Sequence, residues 1–533
     1  MIIISLLFLF IMFLVGMVAV MCSQAIVREN EKKLLEQWKM NCLPLGLCSL
    51  VFGGIFLFCM YKNLVSFSYV VCVASFLVCM RYVYKKLGLA QGRAGKFCGV
   101  FMVLASLSTG FTDNVVIQVC NHLMVLLAML VFTLFGYEQK EQDFIQWIQY
   151  LVLMVCESFV CAFASFGHMR YWKKNKEGMG KTKYIALGLL CGIPVVFIVA
   201  WMLCSADEIF ARWFQGVFQI SWLGNLFLYA LIFFIGFLCF YGVAYGGLKT
   251  SLRDFPKREK KFEPVVAITA AAMVLVVYVM FAYVQIRYLF LGGIWSLPES
   301  FTYAEYARQG FFQLLFVSIL NYIMVLGVLG FFRENMVLKH LMTGISLCTY
   351  VMIASSFYRM ILYVRTYHLT FLRIVVLYFL VGLALLFGWL IASIYCKGQH
   401  FLRNTVITVM VFYLVFAFGK PDYWVASYNS AVNEHLTQED WCTMAEELSL
   451  DAAPVLLSQR PLEFSGLKPE PEESSDRKEN YETRDYVKYD SKEYYAERYE
   501  QYQKRIEKKQ KKLSIRKFNM SVYQAGRALK KSE

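Results

Sequence analysis

The segment Phe301–Phe312 carries the densest set of polar groups opening any long apolar run of the chain. Tyr303, Glu305, Tyr306, Arg308 and Gly310 all fall within it. At helical spacing Glu305 and Arg308 project from one side, about 60° apart, while Tyr303, Tyr306 and Gly310 gather on the other. One face would hold an ion pair and the opposite face a tyrosine-lined surface fit for close packing. Two chemistries answer to that pattern. One is a binding or gating site at the outer mouth of a helical bundle. The other, commoner one is an interfacial salt bridge with an aromatic belt that sets helix depth.

Other ionisable groups stand inside apolar runs, where they are expensive and therefore informative. Glu157 has no charged residue within ten positions on either side. At hydrocarbon depth its carboxyl must be protonated or paired with another helix. Both a proton-coupled role and a structural hydrogen bond suit it. Asn121 with His122, Gln285 with Arg287, Asn321, Arg359, Arg365 and Arg373 complete the set. The arginines lie near helix ends, where snorkelling accounts for them. His122 and His368 have no ligand-spaced partners, so no metal is expected. Asp207 and Glu208 begin a short amphipathic stretch that Ser205 or Asp207 can cap. No phosphate loop, nucleophile elbow or zinc-protease motif occurs, and the residues name neither a catalytic group nor a cofactor.

The elements that must position these groups are membrane helices. Hydrophobic residues make up 59% of the 533 and charged residues 17%, against roughly 25% charged in soluble domains. Apolar runs of 18 residues or more require a hydrocarbon solvent. Crossings are expected near 2–22, 43–61, 64–83, 97–112, 116–136, 144–166, 184–204, 222–246, 264–289, 310–332, 338–358, 371–396 and 401–419. The first lacks a basic leader and reads as a retained helix. The fourth is short and ends at Thr112-Asp113-Asn114, so it is either a full crossing or a re-entrant half-helix, giving twelve or thirteen. The expected fold class is an all-α polytopic transmembrane bundle with a charged, largely helical C-terminal extramembrane region. Its parts are N-terminal helices over 1–136, a core bundle over 137–419, amphipathic helices over 420–460, a linker over 461–482 and a charged tail over 483–533.

Nearly all of the sixteen cysteines lie within apolar runs and no Cys-x-x-Cys pair occurs, so they read as small membrane hydrophobes. The net charge of +15 suits anionic lipid, and nucleic acid is not an expected partner. The loops 169–183 and 248–262 hold six Lys and Arg each, which places both in the cytoplasm and the tail outside. A full fourth crossing would then strand Arg81, Lys85, Lys86, Arg93 and Lys96 outside, and a re-entrant one would not. Residues 483–513 read as a Tyr-rich charged helix, either a solvated face or a surface resting on anionic headgroups.

Thr302–Leu314, reading TYAEYARQGFFQL, resembles the signature of an uncharacterised bacterial membrane family, domain of unknown function 4173, related to domain of unknown function 4153. Ser205–Phe210, Tyr423–Asn429 with Leu448–Leu456, and Ile515–Ala528 are similar to further segments of that family, which usually has Trp where this chain has Ile515. The resemblance implies a multi-pass bacterial membrane protein and carries no activity with it. The leading expectation is a protein of the cytoplasmic membrane that binds or moves a small molecule or lipid near Glu305 and Arg308. A membrane scaffold or envelope sensor acting on a protein partner through the tail is the alternative, and a membrane-embedded transferase the weaker one. Oligomeric state stays open.

Overall fold

A backbone without water to bond closes its hydrogen bonds within one segment, and the apolar runs of this chain accordingly become helices. The computed structural model describes residues 26–27, 42–63, 65–86, 88, 91–135, 144–168, 221–251, 253–254, 262–287, 311–396, 401–432, 438–458 and 492–532, with isolated positions between 199 and 212. The expected crossing at 2–22 and most of that at 184–204 lie outside these residues. Among these residues the fold is all-α apart from a two-residue antiparallel pairing of Ile26–Val27 with Arg253–Asp254 and an isolated parallel bridge between Phe262 and Phe332. Ten of the described helices are long and apolar enough to cross a membrane.

The chain divides into two compact units, Met1–Leu107 with His122–Lys257, and Ser108–Asn121 with Arg258–Glu533. The first contains α1 (Leu43–Met60), α2 (Ser68–Lys86), α5 (Phe144–His168), α6 (Ser221–Ser251) and most of α3 (Arg93–Thr109) and α4 (Val115–Phe135). Its tightest contact is α6 on α5. A Cβ on Gly242 would collide with Ser158 O, and one on Gly246 would meet Ser158 N at 2.7 Å. Glycines four apart thus let the two backbones touch, as small residues do where lipid supplies no hydrophobic drive.

The same contacts give direction. Gly242 faces Ala162, whereas Gly247 faces Met154, so α5 and α6 are antiparallel. Ring pairs Phe52–Phe240 and Tyr61–Tyr229 make α1 antiparallel to α6. The pairs Tyr69–His122 and Tyr84–Phe132 make α2 parallel to α4. The chain leaving His168 and the chain leaving Ser251 therefore emerge at opposite ends of the α5–α6 pair. The basic end of α2 (Arg81, Lys85, Lys86) lies at the Ser251 end. α3 is a single helix of 17 residues and is not among the ten helices long and apolar enough to cross.

The second unit contains α7 (Pro264–Gln285), α8 (Phe311–Phe331), α9 (Met336–Tyr367), α10 (Phe371–Tyr395) and α11 (Phe401–Phe418). At one end Arg333 N donates to Phe262 O (3.1 Å), and Asn335 caps α9 through Val337 N (2.8 Å). At the other end Lys420, with φ of 47°, turns the chain out of α11 into a helical cap. The cap comprises α12 (Pro421–Val432), α13 (Gln438–Glu447), a 3₁₀ turn (Leu450–Ala452), α14 (Ala453–Ser458), α15 (Lys492–Gln510) and α16 (Met520–Ser532).

The cap has its own core. Trp441 is fully buried, its ring 5.5 Å from that of Tyr499 and 5.7 Å from that of Tyr502, and its Nε1 donates to Leu456 O at 3.0 Å. Val425, Ile506, Val522 and Leu529 join it, with Val364 and Leu369 from the end of α9. Tyr495, Tyr499, Tyr502 and Ile506 recur at helical spacing, so α15 turns a Tyr stripe inward beneath its charged face.

Candidate functional site

α3 and α4 are separated by a five-residue break, Gly110–Asn114, whose polar groups are buried. Asn114 begins α4 as a side-chain cap, its Oδ1 accepting from Val116 N (2.9 Å) and Ile117 N (3.1 Å). Its free amide then donates to Asp422 Oδ2 at 2.8 Å, and Ser449 N donates to the same oxygen at 3.1 Å. Asp422 stands in the first turn of α12, where the helix dipole favours a negative charge.

Two further carboxylates close the cluster. Asp451 accepts from the Thr112 hydroxyl on Oδ2 and from Asp113 N on Oδ1 at 3.1 Å. Asp113 Oδ2 accepts from Lys509 Nζ at 2.6 Å and from Leu450 N at 3.4 Å. Asn519 repeats the logic of Asn114. Its Oδ1 caps α16 through Ser521 N (3.0 Å) and Val522 N (3.2 Å), and its Nδ2 donates to Thr112 O at 2.9 Å. Met520 N donates to Gly110 O at 2.8 Å. Arg505 ties α15 to the end of α13 through Ala445 O (3.0 Å) and Leu448 O (3.2 Å).

Asp113, Asp422 and Asp451 are 8%, 1% and 3% exposed. Buried carboxylates persist only when donors surround them, and here each has its own set. Among the described residues no three His, Cys, Asp or Glu side chains gather around one point that could hold an ion. Burial pushes the Asp451 carboxyl above the usual carboxylate value, against the opposing pull of Ser521, Thr112, the Asp113 amide and the Lys420 charge. Burial also raises the Tyr502 phenol, as do the nearby Asp113 and Asp422 charges, while Arg505 opposes them. The arrangement is suited to holding the cap on the break, in a way that depends on the charge state of the carboxylates.

The described residues among those singled out by sequence take no part in this cluster. Tyr303, Glu305, Tyr306, Arg308 and Gly310 lie outside the described residues. Glu157 is buried and paired: Lys249 Nζ of α6 donates to its Oε2 at 2.7 Å, and the Cys161 thiol lies 3.7 Å from the same oxygen. Asn121 Oδ1 accepts from Tyr413 OH at 2.7 Å. Asn321 links three helices of the second unit, accepting from Tyr278 OH (2.7 Å) and donating to Thr349 Oγ1 (2.9 Å). Arg373 closes the end of α9 by donating to Tyr367 O and His368 O, with its guanidinium 4.3 Å from the Tyr363 ring. Arg359 does not snorkel; it is 6% exposed and donates to Gln285 Oε1 at 3.4 Å, beside Ser355 Oγ at 2.7 Å. Asp207 caps Ile209 N at 2.9 Å, as its position suggested. Asn121, Asn321 and Arg373 each keep their own partners and form no common site.

The members of the cluster at 112–114 look local in sequence. Thr112-Asp113-Asn114 passes for a helix break and Asp451 for a capped turn. The signal that could have found them is the coincidence of an Asp at each such break with a capping Asn or Ser beside it.

A family model described as Domain of unknown function (DUF4153) matches residues 99–459. The match takes in Asp113, Asp422 and Asp451 and stops before Lys509 and Asn519. No curated protein and no solved structure matches the chain.

Proposed function

This chain belongs to the DUF4153 family, and on that premise we propose that it is a membrane scaffold or sensor whose C-terminal cap is the working part. The carrying observation is the buried contact of Asp113, Asp422 and Asp451 between the cap and the break after α3. A cap with its own core, held on the end of membrane helices by charge-dependent bonds, can pass a change in either to the other. The finer resemblance to domain of unknown function 4173 supports a bacterial cytoplasmic membrane. Arg333 and Lys339 flank the ends of α8 and α9 remote from the cap, and in sequence Arg258, Lys260 and Lys261 precede α7, which supports an interior face there and an extracytoplasmic cap.

Complementation of a strain lacking the protein tests this. A chain stopped after Gly419 should insert and fail to restore the phenotype. Full restoration by that chain would move the function into the bundle. If it does not insert, Trp441→Ala in the full chain takes its place, since it empties the cap core and leaves every span unaltered.

A second reading, lipid or small-molecule binding by the bundle, is favoured by an apolar groove of about 250 Å³ between α10 and α11. Tyr378, Gly382, Leu386, Phe412 and Phe416 line it. The groove is open to the surroundings of the helices and its walls are those an acyl chain would contact.

A further inference from the structure

We infer that the turn joining α15 to α16, Lys511–Phe518, is a lipid-insertion element that docks on anionic headgroups of the bilayer the chain itself spans. Ile515 at its centre is fully exposed, more so than any other large hydrophobic residue described. Water is a poor environment for such a side chain, and no packing against the cap explains it. Lys508, Lys511, Lys512, Arg516 and Lys517 surround it, with Glu507 alone among the acidic residues of the stretch 504–517. An apolar tip ringed by cations is complementary to a surface with negative headgroups outside and hydrocarbon beneath.

Its height follows from covalent and hydrogen-bonded ties to span ends. Met520 N bonds to Gly110 O, immediately past α3, and Lys420 Nζ, two residues past α11, donates to Gln524 Oε1 at 2.9 Å. Phe111 and Phe418 pair 5.9 Å apart at those same ends, a place aromatic rings take at the membrane interface. Ile515 is five residues from Met520, so it lies within about 17 Å of Gly110 even with the chain extended. Lys509, bound to Asp113, and Arg505, bound to the end of α13, are not part of the ring, and Lys511 within it stands 3.7 Å from Glu507 at the surface.

The test is a photo-crosslinker, p-benzoylphenylalanine, at position 515 of the full chain in vesicles of phosphatidylcholine with or without phosphatidylglycerol, both radiolabelled. Lipid adducts at 515 should exceed those from the same probe at exposed Gln501 in the phosphatidylglycerol vesicles. They should fall about tenfold or more when Lys511, Lys512, Arg516 and Lys517 are all changed to Gln. Adduct yield no higher than at position 501 overturns the proposal, as does a crosslink to a second copy of the chain in place of lipid. A yield indifferent to both phosphatidylglycerol and the four substitutions also overturns it, because the anionic surface is then not what is recognised.

Discussion

Lys509 Nζ stands 2.6 Å from Asp113 Oδ2, joining the last turn of α15 to a break between membrane helices 396 positions earlier in the chain. The partners are unequal: the Asp113 side chain is 8% exposed and that of Lys509 38%. Removing the lysine leaves a carboxylate that still accepts from Leu450 N. Removing the aspartate leaves a buried amide without its acceptor. Lys509→Met should therefore cost about 1 kcal/mol or less, as partly exposed pairs do, and Asp113→Ala about 2–3 kcal/mol. Thermal unfolding in detergent, followed by cap fluorescence, distinguishes the two.

Asp451 supplies a pH dependence. Burial holds its carboxyl above the usual value in the folded cap, so the fold retains a proton that an unfolded chain would release. Stability from this group is greatest in acid, and declines as pH rises from the unfolded value through the raised folded one. Cap unfolding followed against pH should show that decline, and Asp451→Asn should remove it while keeping an acceptor for the Thr112 hydroxyl.

In the first unit, Gly246→Leu should drive α6 from α5, because its side chain has no room beside Ser158. Lys249 then loses Glu157, and a buried carboxylate is left without its cation. Lys249→Met alone should destabilise the bundle more than Lys249→Met combined with Glu157→Leu, since the second change removes the orphaned charge. Denaturation of the three variants in the same detergent gives the order directly.

Trp441→Ala should cost about 3–5 kcal/mol through loss of a fully buried ring. The loss is confined to the cap. Limited proteolysis should cut residues 438–458 and 492–532 in the variant while the spans remain protected.

Much of this architecture was legible in the residues. Apolar runs ended where charges and turns began, and the expected 371–396 and 401–419 differ from α10 and α11 by one residue each. A hydrocarbon solvent leaves composition little freedom, so span bounds are readable. The cap was less so. The Tyr stripe of α15 sits in a helix of mostly charged residues, where the charges dominate any average and hide four inward positions. Asn114, Ser449 and Asn519 act as local caps, yet each cap or its neighbour has a second bond to a partner hundreds of positions away, which no local pattern reveals.

Hydrogen exchange on charge-exchange variants tests the attachment of the cap to the α3–α4 break most directly. Asp113→Lys and Lys509→Asp should each raise exchange at the amides of Asp113, Leu450 and Met520 about tenfold or more, and the two together should restore much of the protection. Wild-type protection in both single variants would contradict the account, because the cap would then be held by something other than this pair and the carboxylates around it.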